Sequence, residues 1–262
     1  MTSTQYNSTD ELGVRLSDGV LWLTIQREAR RNAISPGVLA ALSEALTRAN
    51  ADRSVRAIVL TGAGDKAFCA GADLQTGQSF KFDYSEPMVG FANLFRLSRQ
   101  LMVPLVGRIN GACMAGGMGL MAMCDMVVAA PHAVFGLPEV KIGLFPAQVL
   151  SLLNGLIGPR ALNELCITGE PITAAEALQM GMINRVSEDL DAGVQALLGR
   201  FLDKSPAAIR RGLYLMKRIG AMSFEESMAF TESQIGLFAL TEDAAEGQAA
   251  FREKRKPNWS GR

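Results

Sequence analysis

Histidine is nearly missing from this 262-residue sequence, with His132 the only one, and the four cysteines, Cys69, Cys113, Cys124 and Cys166, form no C-x-x-C pair. A zinc site would fall short of its usual ligands, so no metal is expected. Charge of one sign is also missing, since 26 Lys and Arg balance 26 Asp and Glu. With no basic stripe along a helix, nucleic acid and anionic membrane are not expected partners. The apolar stretch from Gly111 to Ala130 is broken by glycines and by Asp125, well short of the roughly 20 residues of a membrane span. No charged segment followed by an apolar one opens the chain. Cysteines without a pairing pattern fit a reducing compartment, so a cytoplasmic location is expected.

What the chain does contain is enough length to bury about 70 to 75% of its unfolded surface in one sizeable core. Val14 to Leu16 and Val20 to Ile25, separated by Asp18-Gly19, predict a β-hairpin. Ser35-Pro36 starts a helix with Leu39, Leu42 and Leu46 at helical spacing, and the β-branched run Val55 to Leu60 reads as a buried strand. A second cycle follows: a helix near Met88 to Leu101, a strand at Leu105 to Ile109, a Gly-rich turn, a short apolar helix to Cys124 and a strand at Met126 to Ala129. From about Leu150 to Ser260 the pattern is almost entirely helical, broken at Gly158-Pro159, Gly169-Glu170-Pro171, Gly181 and Ser205-Pro206. The expectation is one α/β core over residues 11–200 with a helical appendage over residues 201–262 that buries apolar surface against another subunit.

Three segments carry the chemistry. The first runs from Thr61 through Ala70-Gly71-Ala72-Asp73-Leu74. It fails the dinucleotide-binding pattern because Ala67 stands where a third glycine is needed, leaving either a tight turn or a close approach of ligand to backbone. In the second, Gly111 to Gly119, a strand leads into a helix whose free amides would stabilise an anion. Gly117-Met118 replaces the Lys and Ser or Thr of a phosphate-binding loop, and close helix packing is the alternative use of these glycines. The third, Phe135-Gly136-Leu137-Pro138-Glu139-Val140-Lys141, sets one carboxylate among apolar neighbours. Desolvation would raise its pKa toward the range of proton transfer, whereas pairing with Lys141 would make it an ordinary surface glutamate.

Taken in order, Phe68 to Leu74, Asn110-Gly111 with Gly116-Gly117, Cys124-Asp125, Phe135-Gly136 with Pro138-Glu139, and Gly169 with Ala174, Glu176 and Ala177 resemble the crotonase (enoyl-CoA hydratase/isomerase) pattern. Arg31-Asn32-Ala33 and Glu242-Asp243 with Glu246-Gly247 extend it over nearly the whole chain. The resemblance implies a crotonase fold of repeated ββα units with a helical C-terminal region, assembled as a homotrimer or a dimer of trimers. It implies an acyl-CoA thioester as substrate, coenzyme A being part of that substrate and no separate cofactor being needed. The amides of Ala72 and Gly116 would form an oxyanion hole, and Glu139 would be the acid/base. The backbone of Ala70, Ala72, Asp73 and Leu74 would line the CoA, and Arg31 would reach a CoA phosphate, a role that suits a guanidinium.

One departure matters: Gly119 stands where typical hydratases of this pattern carry a second glutamate. Three activities follow from a single Glu139. It adds water to a conjugated enoyl-CoA, and the arrangement Gly116-Gly117-Met118-Gly119-Leu120 with the run from Glu139 to Ala147 resembles bacterial hydratases of branched or methylglutaconyl-type substrates. Alternatively it shuttles a proton between carbons, as in a Δ3,Δ2-enoyl-CoA isomerase. In the third activity, Gln148 in an altered loop supports hydrolysis or decarboxylation. A catalytically altered acyl-CoA-binding scaffold is the non-enzyme alternative. His132 reads as a turn residue and the methionines as core filling, with Met114, Met118 and Met121 the ones that would border an acyl pocket.

Overall fold

The computed structural model describes residues 6–74, 85 and 90–262. Strands β1 (Leu12–Ser17) and β2 (Val20–Ile25) pair antiparallel as expected. Asp18 and Gly19 supply the two left-handed residues of the turn, with φ of 51° and 76°. Helix α1 (Pro36–Ala51) begins with the Ser35 hydroxyl accepting from the Val38 amide at 3.0 Å and proline in its first turn.

Three ββα units follow: β3 (Ala57–Gly62), β4 (Ala67–Cys69) and α2 (Gly90–Ser98); β5 (Leu105–Ile109), β6 (Ala112–Met114) and α3 (Gly116–Ala122); β7 (Met126–Ala129), β8 (Val134–Gly136) and α4 (Ala147–Leu153). After them come α5 (Pro159–Thr168), β9 (Ile172–Thr173), α6 (Ala174–Gln179), β10 (Arg185–Val186), α7 (Leu190–Leu198), α8 (Pro206–Ile219), α9 (Phe224–Ala239) and α10 (Glu242–Glu253). Each unit gives its longer strand to a six-stranded sheet, β1-β2-β3-β5-β7-β10, and its short strand to a four-stranded one, β4-β6-β8-β9. The expectation of repeated ββα units is met. The second sheet was not anticipated from periodicity, because its strands are three residues or fewer.

Both faces of the large sheet are covered, which is why β3 is buried at every position. Ile58 and Leu60 join Leu42 and Leu46 of α1 in the main core, while Val59, Val106 and Val128 pack on the other face against Val194 and Leu197 of α7. The last three helices attach differently. Helix α8 buries no residue and α9 only Gln234. Long cations tie this region to the core: Arg56 donates to the carbonyls of Leu202 and Lys204 at 2.9 and 2.8 Å, and Lys217 pairs with Asp125 at 2.9 Å. Among the described residues, no helix is long and apolar enough to cross a membrane.

Candidate active site

The three chemistry-bearing segments are the exits of β4, β6 and β8. These are neighbouring parallel strands, registered Ala67 to Ala112 and Met114 to Gly136. Parallel strands leave a sheet on one edge, where α/β proteins place their ligands. The fold thus gathers segments that lie 44 and 23 residues apart in sequence, counted from Ala72 to Gly116 and from Gly116 to Glu139.

At the first exit, Ala72 forms a parallel bridge with Ile34. Ile34 donates its amide to the Gly71 carbonyl at 2.7 Å, and Asp73 donates to the Ile34 carbonyl at 3.0 Å. In such a bridge the N–H of the intervening residue points the other way. The Ala72 amide accordingly finds no acceptor among the described residues, and Ala72 is exposed. Gly71 has φ of 97°, and a Cβ there would stand 2.7 Å from the Ala115 Cβ and 3.2 Å from the Gly116 nitrogen. Glycine is required at this point both for the backbone angle and for the close approach of this turn to Ala115 and Gly116.

Arg27 clamps this loop. Its guanidinium pairs with Asp73 at 2.7 Å and Glu11 at 2.7 Å, and donates to the Ala33 carbonyl at 2.6 Å. The Asp73 side chain is buried and pairs with Arg27. The Ala70 amide is likewise engaged, donating to the Arg31 carbonyl at 3.0 Å. Leu74 is exposed. The Arg31 side chain is exposed and makes no ion pair with a described residue.

At the second exit, Ala115 adopts φ 50° and ψ −122° and donates its amide to the Gly136 carbonyl at 2.9 Å. A non-glycine residue in this region is strained, and such strain concentrates at functional sites. The turn presents the Gly116 amide, which as the first of α3 lacks an intrahelical partner. Gly117 serves packing instead: a Cβ there would lie 2.3 Å from the Cys69 carbonyl oxygen. Gly117 thus meets the close-packing expectation for this segment.

Glu139 lies in the short 3₁₀ turn Pro138–Ile142 after β8. Lys141 does not pair with it, bonding Glu170 at 2.8 Å instead. Glu139 is half-buried, and its Oε2 is buried without a partner among the described residues. Burial pushes its pKa up from the ordinary carboxylate value, opposed in part by a hydrogen bond with its own backbone. A partly desolvated carboxylate with one buried oxygen left without a partner is suited to moving protons. Cys166 on α5 senses the same group: its thiol is raised first by burial and then by the negative charge of Glu139.

Gly119 is covered by a ring. A Cβ there would fall 2.3 Å from Cζ of Phe95, and one at Gly116 would fall 3.1 Å from Cζ of Phe91. The two rings stand 4.5 Å apart, centre to centre. Sequence reasoning missed Arg27, Phe91 and Phe95; the aromatic pair at i and i+4 was the available signal. His132 lies outside the constellation, exposed, with Nε2 3.0 Å from the Asp65 carbonyl oxygen. Gln148 is half-buried on α4, while Met118 and Met121 are fully buried.

A profile of the enoyl-CoA hydratase/isomerase family matches residues 15–262. The chain is 33% identical to a crotonyl-CoA hydratase of Syntrophomonas wolfei, over 90% of this chain and 93% of the relative. It is 32% identical to a carnitinyl-CoA dehydratase of Salmonella arizonae, over 97% and 99%. An enoyl-CoA hydratase structure from Mycobacterium smegmatis superposes with a TM-score of 0.87 at 33% identity, covering 95% of this chain and 98% of the other.

Proposed function

Because this chain belongs to the enoyl-CoA hydratase/isomerase family, we propose that it adds water across the 2,3 double bond of an enoyl-CoA thioester, with Glu139 as its acid/base. The observation that carries this reading is the half-buried Glu139, its Oε2 without a partner among the described residues, at the exit of β8, next to the strand β6 that leads into Gly116. The Ala72 and Gly116 amides hold the thioester oxygen. Glu139 takes a proton from water as the water oxygen bonds to the β carbon, the double-bond electrons move onto the thioester oxygen, and Glu139 returns the proton to the α carbon. Charge on that oxygen exists only after attack, so donors fixed in place stabilise the transition state, each worth about 2.7 to 4 kcal/mol. Arg31 meets a CoA phosphate, and the backbone of Ala70 to Leu74 lines the CoA.

The acyl group in this reading is branched or glutaconyl-type. The relatives named a crotonyl-CoA hydratase and a carnitinyl-CoA dehydratase support hydro-lyase chemistry. One observation favours Δ3,Δ2-isomerisation as the second reading: the Phe95 ring leaves Glu139 without a carboxylate partner from position 119, and one carboxylate is enough to move a proton between carbons. The reading includes a cytoplasmic homotrimer or dimer of trimers, with exposed Phe224 and Ile235 of α9, Leu240 just after it and Phe251 of α10 at the seam.

The test incubates the protein and its Glu139→Gln variant with 2-enoyl- and 3-enoyl-CoA thioesters in deuterated water. Hydration predicts loss of the conjugated thioester and a 3-hydroxyacyl product, with the variant slower by about 10²- to 10⁴-fold. Conversion of 3-enoyl to 2-enoyl thioester without a hydroxyl product selects the isomerase. Unchanged thioesters throughout leave the acyl-CoA-binding scaffold.

A further inference from the structure

We propose that Phe91 and Phe95 form the acyl wall of this site and select an uncharged, apolar acyl group, so that a 3-methyl-branched thioester is accepted and its carboxylated analogue refused. The inference rests on the placement of the thioester oxygen at the Gly116 amide and narrows the acyl choice left open above.

Gly116 and Gly119 lie one turn apart on one face of α3, and Phe91 and Phe95 lie one turn apart on α2. The small residues of one helix receive the rings of the other. Phe91 stands 3.1 Å from the Cβ position of Gly116, beside Ile34 Cδ1 at 3.3 Å, and Phe95 fills the Cβ position of Gly119. Phe95 is buried, whereas Phe91 is half-buried and is the ring of the two with surface left to offer a bound group. An acyl chain whose carbonyl reaches the Gly116 amide therefore runs its α and β carbons along Phe91.

Two physical terms oppose a carboxylate on that chain. It would lose water against two rings that offer it no hydrogen bond, and it would enter a site that already holds the Glu139 carboxylate. The one cation of α2, Arg96, is exposed and donates to Asn93 at 3.0 Å. An apolar methyl branch meets neither term and gains contact with the ring.

The test measures kcat/KM of the full-length protein for crotonyl-, 3-methylcrotonyl- and 3-methylglutaconyl-CoA, in wild type, Phe91→Ala and Phe91→Lys, with melting temperatures alongside. Wild type should prefer 3-methylcrotonyl- over 3-methylglutaconyl-CoA by about tenfold or more, and Phe91→Lys should shrink or reverse that ratio. A wild-type preference for the carboxylated thioester overturns the proposal, as does a ratio that neither variant moves. If wild type turns over none of the three, hydration fails. The wall is then read by binding of isovaleryl- and 3-methylglutaryl-CoA, and tighter binding of the carboxylated compound overturns it.

Discussion

The α/β core and the C-terminal helices are held by different forces. In the core, β3 buries every residue, and sheets and helices share apolar side chains on both faces. Helices α8 to α10 instead dock through Arg56 and Lys217, are tied to one another by the buried carboxylate of Asp243, and leave Phe224, Ile235, Leu240 and Phe251 bare. Hydrophobic burial thus positions the strands whose exits carry Ala72, Gly116 and Glu139, with Arg27 clamping the first exit. The helical region keeps its apolar surface outside the subunit, where it is available to a second copy.

The largest effect that separates the two regions is expected at Leu60. It is fully buried inside β3, between β2 and β5, and Leu60→Ala should destabilise the fold by about 2 to 5 kcal/mol through lost transfer energy and a residual cavity. Urea unfolding with an unchanged slope checks this. A loss below about 1 kcal/mol would mean that the core relaxes around the gap and that the contrast with the tail is overstated.

Next comes Asp243, which accepts from Ser205 Oγ at 2.7 Å and from the amides of Ser260, Gly261 and Ala207 at 2.8, 2.9 and 3.2 Å. Burial alone would raise its pKa; these hydrogen bonds outweigh burial and hold it below the ordinary aspartate value. A depressed folded pKa contributes stability that is complete above the unfolded value near pH 4 and disappears as pH falls through the folded value. Asp243→Ala should cost about 1 to 3 kcal/mol at neutral pH by leaving donors without their acceptor. The gap between variant and wild type should narrow in acid. A gap that stays constant from pH 7 to 3 would show that the tail is anchored by something other than this ionised carboxylate.

The same division decides what the sequence made legible. Long elements with one strong signal were readable: the Asp18-Gly19 hairpin, the Ser35-Pro36 helix start, and the strands Leu105–Ile109 and Met126–Ala129. Strands β4, β6, β8 and β9 were not, because two or three residues show no period and their pairing is set by tertiary approach, as where Gly111 meets the backbone of Lys66. The site was legible as motifs at strand ends. It was not legible as geometry: nothing in Ala70-Gly71-Ala72 shows that the parallel bridge to Ile34 turns the Ala72 amide outward. The Lys141 question also needed the fold, since Glu170, its actual partner, lies 29 residues away.

The smallest effect on the subunit, and the most informative about the bare helices, belongs to Phe251. It is 85% exposed on α10, so Phe251→Ser should change the unfolding free energy of an isolated subunit by no more than about 0.5 kcal/mol. If α9 and α10 form the seam of the proposed trimer, the same substitution removes apolar area from an interface, and repeats it at every copy by symmetry. Sedimentation should then show smaller species at concentrations where wild type stays assembled. An unchanged size distribution would place the seam elsewhere and leave the exposed ring without a partner. An unchanged size with a large stability loss would instead place Phe251 in the fold of its own subunit, against its exposure.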